Sequence, residues 1–146
     1  MVGRTRVFGT LLVCAAAAGC GSGGLTDADQ VLSAVVIGQV LWQADVPVAA
    51  AAVDVEAWRD SDVRPLASTT VVTSADGRYM AKLSVRSIQS SIAAITVVRA
   101  RVPAEGTPSA IAEARGTRVY FKPGTPTGAD YAVVNVSFAT SGSSAP

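Results

Sequence analysis

The amino-acid sequence predicts an all-β fold: an Ig-like sandwich of about seven antiparallel strands, preceded by a helical leader. Three observations predict it. Apolar and polar side chains alternate with period two in several short runs. These runs are rich in valine, isoleucine, threonine and aromatic residues. Proline, glycine and aspartate separate them at intervals that suit turns. A chain of 146 residues supplies one good core rather than two.

The first element is an address. Met1 to Arg6 carries Arg4 and Arg6 with no acid, and Val7 to Ala18 is a twelve-residue run, apolar except for Gly9 and Thr10. A basic start, a short apolar centre and small residues before a cut form the secretory pattern. A helix needs ~20 apolar residues to cross a bilayer, so this run is too short for a permanent span. Ala17-Ala18-Gly19-Cys20 resembles the lipobox of bacterial lipoproteins, with alanine at 17 where that family more often has leucine. The resemblance implies that residues 1–19 are a cleaved signal peptide and that Cys20 becomes diacylated, with its new amine often acylated as well. Two or three acyl chains anchor stably where a single chain does not. The expected location is therefore exported and lipid-held, at the outer membrane or cell surface, facing the periplasm or the exterior. The expected membrane partner is reached through those acyl chains.

Residues 20–33 read as a lipidated flexible tether, polar and rich in glycine, with Asp27 and Asp29. As a coil it would reach roughly 20 Å. Residues 34–139 read as the sandwich and 140–146 as a disordered tail ending in Ser-Gly-Ser-Ser-Ala-Pro. Within the sandwich, Val35 to Leu41 opens the fold. Val53, Val55 and Ala57 then alternate with Asp54, Glu56 and Trp58. Thr69 to Thr73 is β-branched throughout, and Ser74-Ala75-Asp76-Gly77 is a turn in which Gly77 takes the positive φ of a tight hairpin. Tyr79, Ala81, Leu83 and Val85 share the inward face of the next strand, with Lys82 pointing to water. Ile92 to Val102, Ile111 to Phe121 and Tyr131 to Phe138 complete the set. Ser87 to Ala94 and Ser109 to Arg115 are the two stretches with room for a short helix.

Composition excludes several functions. The full chain carries 12 basic and 11 acidic residues, and losing Arg4 and Arg6 with the leader leaves ten against eleven. No basic excess exists to neutralise a phosphate backbone, so no nucleic-acid partner is expected. The chain has no histidine, which removes the commonest general base and the commonest neutral metal ligand. Its two cysteines, Cys14 and Cys20, are too few for a structural zinc site. No metal, cofactor or catalytic residue is expected, and the chain is read as a non-enzyme.

Gly38-x-Val40, Pro47-Val48 and Ala51-x-Val53-x-Val55 resemble the opening of carboxypeptidase regulatory-like domains. Thr73-x-x-Asp76-Gly77-Arg78-Tyr79 followed by Leu83 is similar to that family's second signature. The resemblance covers residues 35–85 and departs at Asp45 and Ala50, where the family usually has glycine. It implies a transthyretin-like (prealbumin-like) sandwich and a non-catalytic module that helps its host fold, dock or bind. Two enzyme groups share related sandwiches, the ureide hydrolases and the intradiol dioxygenases. Both need histidines that this chain lacks.

The candidate binding residues are Trp58, Asp54 and Glu56, together with Arg99 and Arg115. An indole flanked by carboxylates suits a sugar ring whose hydroxyls the acids accept; the plain alternative is a tryptophan covering a loop at a strand end. With a hairpin centred near Thr107, Arg101 would face Glu113 and Arg99 would face Arg115. That register leaves a positive stripe able to meet anionic lipid or an acidic polymer, or serving only as a solvated face. Asp60-Ser61-Asp62 lacks the rest of a calcium loop and reads as a turn. A Lys–Asn crosslink to Asn135 is disfavoured because Lys82 faces water and Lys122 ends a strand. The expected function is therefore a lipid-anchored envelope protein with a binding or scaffolding domain, its partner a protein or a glycan. The alternatives are a structural accessory subunit and a carboxylate-based hydrolase.

Overall fold

The computed structural model describes residues 29–43, 45–102 and 110–138. The expected leader, Cys20, the expected tether as far as residue 28, residues 103–109 and the expected tail lie outside the described residues. The fold is all-β. Its strands are β1 (Gln30–Trp42), β2 (Val46–Pro47), β3 (Ala52–Trp58), β4 (Ala67–Val72), β5 (Arg78–Ser87), β6 (Ile92–Val102), β7 (Ala110–Pro123), β8 (Ala132–Val133) and β9 (Val136–Phe138). One 3-10 turn, Gly128–Asp130, lies between β7 and β8.

Strands β4-β3-β6-β7 pair antiparallel in that order and form one layer. In the other layer, β1 pairs antiparallel with β5 along one edge, from Gln30↔Ser87 to Gln39↔Arg78. Its opposite edge takes the end of β7 at Leu32↔Pro123, then β8 and β9 in parallel register. Strand β7 thus passes from one layer into the other, and the sheet curls over on itself around one core.

Period-two patterning decides which side chains enter that core. Val53, Val55 and Ala57 of β3 are fully buried, as are Ala81 and Leu83 of β5, and they meet Val98, Val119 and Phe121 from β6 and β7. Tyr79 is buried, as its inward parity requires, while Lys82 is exposed. Trp42 caps one end of the core by packing on Phe138, with ring centroids 5.2 Å apart. The Ser74–Gly77 turn closes through the Gly77 amide on the Ser74 carbonyl, and Gly77 has φ +73°. The expected hairpin does not form around it: β4 pairs with β3 and β5 with β1, so the turn carries the chain from one layer to the other.

The structure corrects the expected layout in four further places. Strand β1 begins at Gln30 rather than near residue 35, and both Leu32 and Ser33 are buried, so the tether ends before them. The last expected strand is two short ones, β8 and β9, because the chain kinks away at Val134 and Asn135. The Asn135 side chain bridges the gap by accepting a 3.0 Å hydrogen bond from the Gln39 amide, where a ladder carbonyl would otherwise sit. Neither stretch with room for a helix forms one among the described residues: β7 takes Ala110–Arg115 and β6 takes Ile92–Ala94.

The fourth correction is the β6–β7 register. Arg99 faces Glu113, Arg101 faces Ile111, and Val97 faces Arg115. The expected like-charge pair of Arg99 and Arg115 does not form across the ladder. Near Gly116, at φ +100°, the ladder shifts between Ile95 and Val97, which brings Ile95 opposite Arg118. Thr96, fully buried there, donates its hydroxyl to the Thr117 carbonyl at 2.9 Å.

Candidate functional site

The five candidate binding residues converge on the outer face of the first layer. Asp54, Glu56 and Trp58 project from β3, Arg99 from β6 and Arg115 from β7. Strand pairing places them side by side, with Asp54 opposite Arg99, Glu56 opposite Val97 and Trp58 opposite Ile95. Outward residues two apart on one strand stand on the same face, so the three strands build a flat field of alternating charge.

Glu113 organises that field, although its sequence position alone assigns it no role. Arg99 reaches Glu113 through Nε at 2.6 Å and Glu56 through a terminal nitrogen at 3.1 Å. Arg115 donates to the second carboxylate oxygen of Glu113. The Arg115 hydrogen bond, followed by that of Arg99, holds the Glu113 carboxyl below its usual range, and the Glu113 bond in turn raises Arg99. Asp54 is engaged separately, accepting from Arg101 at 2.6 Å and from the Thr70 hydroxyl at 2.7 Å. Three carboxylates therefore answer three guanidinium groups on this face. Arg99 and Arg115, expected to leave a positive stripe, are both neutralised. Beneath their stems Val97 is buried although it lies on the outward side.

Trp58 is tied into the same field. Its indole Nε1 donates to Glu56 Oε2 at 2.9 Å, which fixes the ring near the end of β3. Beside it a groove of about 490 Å³ runs between Arg59, Asp60 and Asp62 on one side and Val97, Arg99 and Arg115 on the other. A second groove on its far side, lined by Ala93, Ile95 and Arg118, measures about 400 Å³. Asp62 is engaged by Arg59 at 2.7 Å. Among the described residues, no cluster of three or more metal-ligating side chains occurs, and the Asp60-Ser61-Asp62 stretch is part of a turn.

Another concavity lies elsewhere. A slot of about 780 Å³ is lined mainly by Ile37, Val72, Met80 and Val133, with Gln39, Arg78 and Asn135 at its rim. The one signal in the sequence that could have pointed there is Met80, an apolar residue on the otherwise polar face of β5. Lys122 is bound to Asp130 at 2.7 Å and Asn135 to the Gln39 amide, so neither side chain is turned toward a crosslink with the other. Compared with protein-family models, with curated proteins and with solved structures, the chain matches none.

Proposed function

We propose that this chain is a lipid-anchored protein of the bacterial cell envelope whose sandwich is a non-catalytic binding or scaffolding module. Acyl chains on Cys20 hold it at the outer membrane or cell surface. The basic start, the short apolar run and the Gly19-Cys20 junction support the anchor. A carboxypeptidase regulatory-like, prealbumin-like reading of the domain draws support from the tight turn at Asp76-Gly77 that leads into β5. It draws further support from Ala50, which takes the left-handed φ of +56° where that family usually has glycine.

One observation carries the binding role: Trp58 is hydrogen-bonded in place beside a groove edged by arginines and aspartates. Such a groove suits a saccharide, stacking on the indole and offering hydroxyls to the carboxylates. Catalysis by paired carboxylates requires one acid to keep its proton near neutral pH. Asp54, Glu56 and Glu113 each meet a guanidinium instead, which supports binding over hydrolysis.

Two measurements test the reading. Cys20→Ser should leave an unprocessed precursor without lipid label; normal processing and normal detergent partitioning in that variant would overturn the anchor. A glycan array probed with the wild-type chain should yield binding that Trp58→Ala abolishes. Binding untouched by that substitution would remove the groove from the proposal.

A further inference from the structure

The two outer faces of the sandwich differ in how their charges are matched. On the first layer the three arginines of the ion network are matched by carboxylates, and Arg118 of β7 makes no ion pair among the described residues. On the second layer, Arg78, Lys82 and Arg86 stand on the outward side of β5, and Lys122 stands beside β1. Asp76 pairs with Arg78 and Asp130 with Lys122. Among the described residues, Lys82 and Arg86 make no ion pair.

Exposed apolar side chains lie among these cations. Val31 is 54% exposed, Met80 60%, Ile88 61% and Val133 59%. Val31 sits directly opposite Arg86, and Ile37 is flanked by Met80 and Val133. Apolar side chains set among unpaired cations match an anionic headgroup layer, which accepts the first into its acyl boundary and attracts the second.

The point of chain entry selects the same face. Strand β1 starts at Gln30, paired with Ser87, so the segment that leads from Cys20 joins the fold at the Val31, Arg86 and Ile88 corner. Nine residues separate Cys20 from Gln30. As a coil they would span roughly 15–18 Å. An anchor that close keeps the corner at high local concentration near the lipid, so a weak surface attraction suffices to orient the domain. Asp29 is the one acid described at that corner.

We propose that the outer face of the β5–β1 layer lies against an anionic lipid surface and leaves the Trp58 face turned away from the membrane. This rests on the anchored reading, and it deepens it by giving the domain an orientation. It also assigns the membrane contact to Lys82 and Arg86 in place of Arg99 and Arg115.

The test uses the full lipidated chain, reconstituted in vesicles of phosphatidylcholine with or without phosphatidylglycerol. Ser84→Cys on β5 and Ser68→Cys on β4 place a fluorophore on the two opposite outer faces, and nitroxide lipids quench whichever label lies near them. In vesicles containing phosphatidylglycerol, quenching at position 84 should exceed that at 68 several-fold. The ratio should fall toward one in phosphatidylcholine alone, at high salt, and in the Lys82→Glu/Arg86→Glu variant, whose exposed substitutions leave its melting unchanged. Equal quenching at both positions in phosphatidylglycerol vesicles, or stronger quenching at 68, would overturn the orientation. A face built for a protein partner gives that same overturning result in pure lipid. The mass of the purified chain reports its acyl groups independently, so failure of the anchor is distinguished from failure of the docking.

Discussion

The Tyr79 hydroxyl donates a 2.6 Å hydrogen bond to the main-chain oxygen of Val134. Tyr79 stands on β5 and Val134 in the kink between β8 and β9, so this one bond ties together the two edges that flank β1. Burial pushes the Tyr79 phenol above its usual range. Its charged form is disfavoured in the fold, so the folded pKa exceeds the unfolded value of about 10. The stability linked to it is complete below that pH and is lost as pH rises through the folded value. Tyr79→Phe removes the donor from a buried carbonyl and should cost about 1–3 kcal/mol at neutral pH. Denaturant unfolding of both chains, at neutral pH and near pH 11, should show the gap narrowing at the alkaline end. A gap unchanged between the two conditions would mean that the hydroxyl does not titrate with unfolding.

Gly38 makes that bond possible. It faces Tyr79 across the β1–β5 ladder, and a Cβ there would stand 1.7 Å from the Val134 oxygen and 2.8 Å from the Tyr79 hydroxyl. The nearer obstacle is main chain, which cannot rotate away as a side chain would. Gly38→Ala should therefore cost about 3 kcal/mol or more, at the upper end for overpacking. Gly128→Ala meets nothing within 4 Å and serves as the control. A small loss at Gly38, matching that at Gly128, would show that β8 and β9 can shift off β1 at little cost.

Strand β5 separates its two faces cleanly, with Leu83 buried and neighbouring Lys82 exposed. Leu83→Ala should cost about 2–5 kcal/mol through lost transfer energy and the cavity left behind. Lys82→Ala should change stability by less than about 0.5 kcal/mol. Thermal unfolding of the two variants checks the register, because a slip of one residue would exchange the two results.

The features legible in the sequence are those set by near neighbours. Val53, Val55 and Ala57 fall inward and Asp54 and Glu56 outward because period two is a local property of the strand. The Asp76-Gly77 turn was legible for the same reason. Pairing across longer distances was not. The segment from Pro103 to Ser109 admits several loop lengths, so nothing in it placed Arg99 rather than Arg101 opposite Glu113. Leu32 looks like part of a tether when read between Gln30, Ser33 and the glycines before them. Its burial depends on β5 and on the end of β7, which lie about 50 and 90 residues further along the chain. The candidate residues Trp58, Asp54 and Glu56 were visible because they share one strand. Glu113 was not, since its role depends on two partners brought by β6 and β7. The slot around Met80 arises only when β5, β1 and β8 are assembled.

Ala50 offers a change that should stabilise the fold. It holds φ at +56° between β2 and β3, where its amide donates to the Thr73 carbonyl at 3.2 Å. That bond, and the Thr73 hydroxyl accepting from the Ala51 amide at 2.9 Å, lock the segment in place and leave the residue no route to a relaxed conformation. A left-handed backbone costs an alanine about 1–2 kcal/mol through its Cβ. Glycine avoids that cost but gains freedom in the unfolded chain, which offsets about 0.4–1 kcal/mol. The Ala50 methyl is on the exposed side, so no core contact is lost with it. Ala50→Gly should therefore raise stability by roughly 0.5–1 kcal/mol, read as a higher denaturant midpoint with an unchanged slope. Gln43, at φ +52°, carries the same kind of strain, so the paired variant Gln43→Gly/Ala50→Gly should sum the two gains. A lower midpoint for Ala50→Gly alone would place the residue in an ordinary extended conformation in solution.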